Sequence, residues 1–299
     1  MASPIRVQFG AESPDPARCF AEVRELFAEV ERQCTRFDPN SDLMRANAAA
    51  GSWQVVGGYC YDALIAAYDA HLMTAGMFEP RVLETLTAIG YGESRLTAPP
   101  AADAVRDLPA PHQQAWSPDF DESAGAVRVG PHPIDLGGVG KGLTLRWAAD
   151  SLRGNGCRTF LVDAGGDLVA GGAGPDGSGW RIGVEDPGGG SASVAVLRVA
   201  DAACATSSTR LLRWRAGGEE VHHLIDPRTG RSGGHGLRSV TVIAADPAEA
   251  EVWSKTLFLY GENIGPAADR ERLAALWITA EDTLDWTEPM AEHLLWWPT

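Results

Sequence analysis

Apolar and polar positions along the chain change period several times, and each change predicts an element. Residues 4–9 alternate, which predicts a strand. Between 15 and 36 the apolar residues Phe20, Val23, Leu26, Phe27 and Val30 recur at helical spacing, until Asp38-Pro39-Asn40-Ser41-Asp42 breaks the pattern. Ser41 or Asp42 is placed to cap a short helix ending near Asn47. Residues 61–75 keep a 3.6 period, Phe78-Glu79-Pro80 reads as a turn, and 81–89 as a short helix. The period then disappears: 95–125 is polar and rich in Ala and Pro, which predicts a long surface loop or insertion.

Periodicity returns with a strand over 126–136 that enters a glycine-rich turn, and a helix follows to about Arg153. Short strands are predicted at 159–163, 167–171, 180–185, 193–199 and 204–207. His222-His223-Leu224-Ile225-Asp226-Pro227 leads into a turn at Arg228-Thr229-Gly230. A β-branched strand over 238–244 precedes helices at 247–260 and 265–274. Two β-rich stretches alternating with helices make the fold class α+β.

Length and charge narrow the picture. The 299 residues suit one large domain or two modest ones, and 44% hydrophobic with 22% charged residues is ordinary for a globular chain. A formal charge of −15 repels nucleic acid and anionic lipid, so neither is expected as a partner. Any anionic ligand needs local compensation. Five widely spaced cysteines without a CxxC argue against a disulfide framework or a structural zinc. The first ten residues have neither the basic nor the apolar region of a signal peptide, so the expectation is a cytoplasmic protein without a membrane anchor.

Candidate chemistry concentrates in a few segments. Ile134-Asp135-Leu136-Gly137-Gly138-Val139-Gly140-Lys141-Gly142 places four glycines in six residues between a strand and a helix. Backbone N–H groups and a helix N-terminus there suit a phosphate or pyrophosphate, with Lys141 as a mobile charge. A tight strand-to-helix turn explains the same glycines equally well, and neither GxxxxGK[ST] nor GxGxxG is present. Asp163-Ala164-Gly165-Gly166-Asp167 reads as a bulged hairpin, and Ala205-Thr206-Ser207-Ser208 offers hydroxyls at a strand end. His223 beside the Asp226-Pro227 turn can be held as a proton acceptor, or can be one of two strand-end histidines. Glu251 and Lys255, four apart on a helix, read on spacing alone as an exposed ion pair.

Taken in order, these segments resemble the ApbE family, the FAD:protein FMN transferases. The resemblance is carried by Thr35-Arg36-Phe37-Asp38-Pro39-Asn40-Ser41-Asp42-Leu43 with Asn47, and by Gly76-Met77-Phe78-Glu79-Pro80. Asp135 through Gly142, Asp163 through Leu168, Ala205-Thr206-Ser207, His223 through Gly230 and Ser239-Val240-Thr241-Val242 complete it. It implies one domain over 1–299 with an α+β fold related to the tunnelling fold and a flavin cleft between two β-rich halves. It also implies that FMN passes from FAD to a Thr or Ser of an acceptor flavoprotein, with AMP released.

By position, the resemblance implies FAD contacts at Met77, Phe78, Glu79, Asp135, Gly137, Gly138, Lys141, Ala205, Thr206, Ser207 and Leu224, with His223 as general base. The family's magnesium bridges the pyrophosphate through a backbone oxygen matched by Gly138 and an Asp matched by Glu251. Its threonine ligand is matched by Lys255, whose ammonium would replace the ion rather than bind it. Two alternatives stay open: an FAD-binding protein without transferase activity, and a pyrophosphatase giving FMN and AMP.

Overall fold

The computed structural model describes residues 4–92 and 108–298. The chain divides into two compact units that alternate along the sequence. The first is built from Ala28–Gly140 and Leu212–Gly233; the second from the N-terminal segment up to Phe27, Lys141–Leu211 and everything from Gly234 on.

In the second unit a seven-stranded antiparallel sheet runs in sequence order. Its strands are β1 (Ile5–Phe9), β2 (Phe160–Ala164), β3 (Asp167–Gly171), β4 (Ala202–Ser208), β5 (Leu237–Ala244), β6 (Ala274–Thr279) and β7 (Leu284–Trp286). The β2–β3 connection is a tight two-residue turn rather than a bulged hairpin, with Ala164 opposite Asp167. Gly165 and Gly166 sit at φ 71° and 97°, where a side chain would be strained. One face of the sheet packs a three-stranded sheet: Trp180, Leu197 and Val199 meet Leu168, Cys204, Ile243 and Leu276. The helix Pro247–Tyr260 packs on β4 and β5. It is buried nearly all round, which explains its lack of an amphipathic stripe.

Helix α1 (Pro16–Cys34) buries Cys19, Val23, Phe27 and Val30, while Phe20 is exposed. Cys19 thus heads the apolar stripe where Phe20 was expected. In the first unit, α2 (Asp42–Ala48) starts at Ser41, whose hydroxyl accepts the Met44 N–H. Helices α3 (Gly58–Met73) and α4 (Leu83–Ala88) follow. Leu86 and Ile89 pack against Ala216, Val221 and Ile225 from a ribbon of Arg213–Ala216 paired with Glu219–His222 and the strand after it.

Several elements depart from the sequence pattern. The strand expected over 126–136 stops at Arg128, because Pro131 and Pro133 have no N–H for a ladder. Within the expected 95–125 loop, Asp119–Asp121 is a strand and Trp116 is buried; residues 95–107 lie outside the described residues. The helix expected over 265–274 ends at Arg270, and Ala274 already begins β6. Its apolar positions serve both periods, and only the turn at Arg272, φ 54°, separates them.

Candidate functional site

The first unit gathers its chemistry around Arg36. Its Nε lies 3.0 Å from Asp135 Oδ2, and its Nη1 donates to the Tyr91 carbonyl at 2.7 Å. The guanidinium sits 4.4 Å from the ring centroids of both Phe37 and Tyr91. Only 6% of the Arg36 side chain is exposed, and its buried Nη2 has no hydrogen-bond acceptor among the described residues. Trp214 and His223 flank Tyr91 at 5.8 and 6.4 Å, and Trp214 is fixed by its N–H to the Ile89 carbonyl. Burial pushes the Tyr91 hydroxyl above the ordinary phenol value, with the Arg36 charge pulling the other way.

Asp135 is positioned from both sides. Asn47 clamps the preceding residue through the Ile134 N–H and carbonyl, both at 2.9 Å. The Asp135 N–H donates to the Pro80 carbonyl, bringing the Met77–Pro80 turn beside it. That turn is internally committed. The Phe78 N–H donates to Thr74 Oγ1, and His71 Nδ1 pairs with the Phe78 carbonyl at 3.0 Å. His71 Nε2 accepts the Trp116 N–H, which makes Nδ1 the protonated nitrogen.

Glu79 takes a two-pronged bond from Arg81 and the Arg81 backbone N–H. Burial raises its carboxyl, and Arg81 outweighs burial, so Glu79 lies below the usual carboxylate range. Asp226-Pro227-Arg228 repeats the arrangement: Asp226 accepts the Arg228 N–H and both prongs of its guanidinium. Next to that lock, the Leu224 N–H donates to His222 Nδ1 at 3.3 Å.

The second unit gathers around Lys141. Helix α5 (Gly140–Gly154) begins where the N-terminus of α6 (Pro247–Tyr260) crosses it, and a Cβ on Gly142 would stand 2.4 Å from the Pro247 carbonyl oxygen. Asp246 caps α6 and takes both prongs of Arg146 at 2.5 and 2.6 Å. This junction sets Glu251 one turn into α6. Its Oε2 accepts the Gly142 N–H at 2.8 Å, and its Oε1 lies 3.6 Å from Lys141 Nζ. Lys141 Nζ also pairs with Asp167 Oδ2, while Asp167 Oδ1 accepts the Thr206 N–H at 2.9 Å.

Several expected contacts sort differently here. Glu251 is buried, so the exposed ion pair does not form in that shape. Lys255 is half-buried one turn on. Thr206 pairs with Thr241 across β4 and β5 at 2.9 Å, whereas Ser207 turns to Ser254 of α6 at 3.0 Å. Strand alternation therefore puts Ala205 and Ser207 on the opposite face from Thr206. Met77, Phe78 and Leu224 are buried.

Four amides of the glycine turn are engaged within the fold, as the tight-turn reading has it. Gly137 N–H goes to Asp135 Oδ1, Val139 and Gly140 N–H go to the Leu136 carbonyl, and Gly142 N–H goes to Glu251. Arg36, Tyr91, Trp214 and Asp167 were not singled out as site residues. An arginine among aromatics within Thr35-Arg36-Phe37, and an acid directly after a Gly-Gly turn, were the available signals.

Magnesium wants near-octahedral oxygen ligands at about 2.0–2.1 Å. Among the described residues no three His, Cys, Asp or Glu side chains gather for an ion. Asp167 and Glu251 each give one oxygen to a backbone N–H and face Lys141 with the other. With Lys255 where an oxygen ligand was expected, this set does not fit magnesium.

Residues 1–277 match the ApbE family. The FAD:protein FMN transferase of Escherichia coli K12 is 33% identical over 166 residues, which span 54% of this chain and 47% of that protein. The chain thus spans about half the length of the first relatives it matches. The Vibrio cholerae protein of the same name is 32% identical over 274 residues, covering 87% of this chain and 79% of its own. Among solved structures, the ApbE protein of Thermotoga maritima superposes with a TM-score of 0.84 at 24% identity, over 97% of this chain and 95% of its own. The flavin transferase ApbE of Vibrio cholerae superposes at 0.81 and 22%, over 98% and 96%. These likenesses show the α+β fold. No described helix is long and apolar enough to cross a membrane.

Proposed function

Because the chain belongs to the ApbE family, we propose that it is an FAD:protein FMN transferase. The observation that carries the reading is that the matched segments are not scattered. Asp135, the Met77–Pro80 turn and Arg36 lock together in one unit, and Lys141, Asp167, Glu251 and Thr206 lock together in the other.

In this reading His223 takes the proton of the acceptor's Thr or Ser hydroxyl. The freed oxygen attacks the FMN phosphorus, and the bond to the AMP phosphate breaks with its electron pair leaving on AMP. Phosphoryl transfer needs charge neutralisation and a positioned nucleophile more than covalent help. Lys141 supplies that positive charge on an otherwise acidic protein. Arg36 holds Asp135, and through it the turn at Phe78 and Glu79, in a fixed place for the flavin nucleotide. No step is assigned to magnesium.

The test is incubation with FAD and a Thr-containing acceptor peptide, following AMP release and FMN-peptide by mass spectrometry. We expect transfer, and His223→Ala should slow it by about a hundredfold while leaving FAD affinity nearly unchanged. AMP released equally with and without acceptor would mean hydrolysis instead, and tight FAD binding with no AMP would mean a flavin-binding protein.

A further inference from the structure

We propose that Lys141, supported by Lys255, is this site's built-in counter-cation, and that the site takes its diphosphate-bearing ligand without a divalent ion. For the diphosphate this rests on the functional reading above; the exclusion of the ion stands on the unit's own geometry.

Asp167 and Glu251 are the two buried carboxylates beside Lys141, with 4% and 5% of their side chains exposed. Buried carboxylates need partners, and each has two kinds here. One oxygen of each accepts a backbone N–H, from Thr206 and from Gly142. The other faces the same ammonium. A divalent ion would have to displace Lys141 from both acids. It would do so one helical turn from Lys255, a second positive charge on α6. Lys141 already meets both acids, and Lys255 adds a further positive charge four residues on along α6, so a free cation would meet an occupied and partly neutralised pair.

The arrangement is also held in place. Gly142 donates to Glu251 and lets the start of α5 touch the start of α6, and Arg146 ties α5 to the cap of α6. Lys141 is 30% exposed, unlike the acids beneath it. A flexible ammonium on such a base can swing its charge to a phosphate oxygen while the acids keep their backbone partners.

Two measurements test this. The first needs no flavin: manganese binding to the full-length protein, read by electron paramagnetic resonance. The wild type should leave manganese free. Lys141→Met combined with Lys255→Thr should acquire a bound ion, which a further Glu251→Gln should abolish. Stoichiometric manganese in the wild type, lost in Glu251→Gln, overturns the proposal. So does a folded double variant, checked by circular dichroism, that still binds none.

The second is calorimetry with FAD. Wild-type affinity should be the same in EDTA and in magnesium. Lys141→Met should lose about tenfold and Lys141→Arg should recover most of it, as a charge-assisted contact requires. An affinity that collapses in EDTA overturns the proposal while leaving the transferase reading intact. FAD that binds under neither condition defeats the transferase reading and the diphosphate claim, while the manganese result still decides the ion's exclusion.

Discussion

Each unit buries an acid against one basic side chain, and the two do it in different ways. In the first, Arg36 is a planar fork pinned by Asp135 at its edge, the Tyr91 carbonyl beyond and rings on its faces, with Nη2 buried and without an acceptor among the described residues. In the second, Lys141 is a point charge over Asp167 and Glu251 that still reaches solvent. A guanidinium boxed by aromatics is architecture, because moving it unmakes several contacts at once. An ammonium over two acids that already hold backbone N–H groups can leave without unmaking the fold. A fixed cation and a mobile one are thus built into one chain.

The sharpest way to break that contrast is Arg36→Ala. It leaves Asp135 buried with the Gly137 N–H but no cation, and empties the space between Phe37 and Tyr91. Removing one partner of a buried pair costs about 3–5 kcal/mol, so urea unfolding should show a loss of that size. A loss under about 1 kcal/mol would mean that the pair behaves as a surface one.

Gly142→Ala attacks the other unit's frame rather than its charge. The new Cβ meets the Pro247 carbonyl oxygen at 2.4 Å and Ala248 Cα at 2.6 Å, both backbone atoms that cannot turn aside. Overpacking of this kind costs about 1–3 kcal/mol, and backbone partners place it near the upper end. FAD affinity should fall with it, because Glu251 and Lys141 depend on the same junction. An alanine variant as stable as the wild type would show that the two helix ends can separate freely.

Much of this frame was legible beforehand, and the reasons differ by element. The β2–β3 hairpin and α2 announce themselves through Gly165-Gly166 and Ser41, local devices acting within a few residues, although the hairpin turn is tighter than the bulged one expected. The matched motifs also named Asp135, Lys141 and Glu251. Their partners were not legible. Glu251 pairs with the Gly142 amide 109 positions earlier, and Arg36 with Asp135 across a comparable gap. Spacing arguments reach only one helical turn. The same limit explains the glycine turn: its amides looked available because their acceptors, Asp135 and Glu251, could not be read as acceptors from the chain. The split of 264–279 into helix and strand failed for another reason, since its apolar residues satisfy both periods.

Exchanging the two cations sharpens the contrast further. Arg36→Lys keeps the charge but loses the bond to the Tyr91 carbonyl and the stacking on two rings, and should cost about 2 kcal/mol. Lys141→Arg should change stability by less than about 1 kcal/mol, since the head group already reaches solvent. Paired denaturation curves read both. Equal losses would erase the distinction between a fixed and a mobile cation.

The smallest expected effect is a pH dependence within the first unit. Glu79-Pro80-Arg81 and Asp226-Pro227-Arg228 are the same lock built twice, with the Arg81 side chain 8% exposed and Arg228 53%. Burial raises the Glu79 carboxyl and Arg81 more than reverses it, so its folded value lies below 4.5. A carboxyl depressed in the folded state binds its proton less readily folded than unfolded. Its stabilisation is therefore complete above the unfolded value and is lost as pH falls through the folded one. The stability gap between wild type and Glu79→Gln should stay constant above the unfolded carboxyl value and shrink as pH falls through the lower, folded one. Chemical denaturation at several pH values measures it, with Asp226→Asn as the companion whose arginine is open to solvent and screened by salt. Should the Glu79 gap widen on acidification, the carboxyl would be one that burial keeps protonated, and Arg81 would be its neighbour rather than its counter-charge.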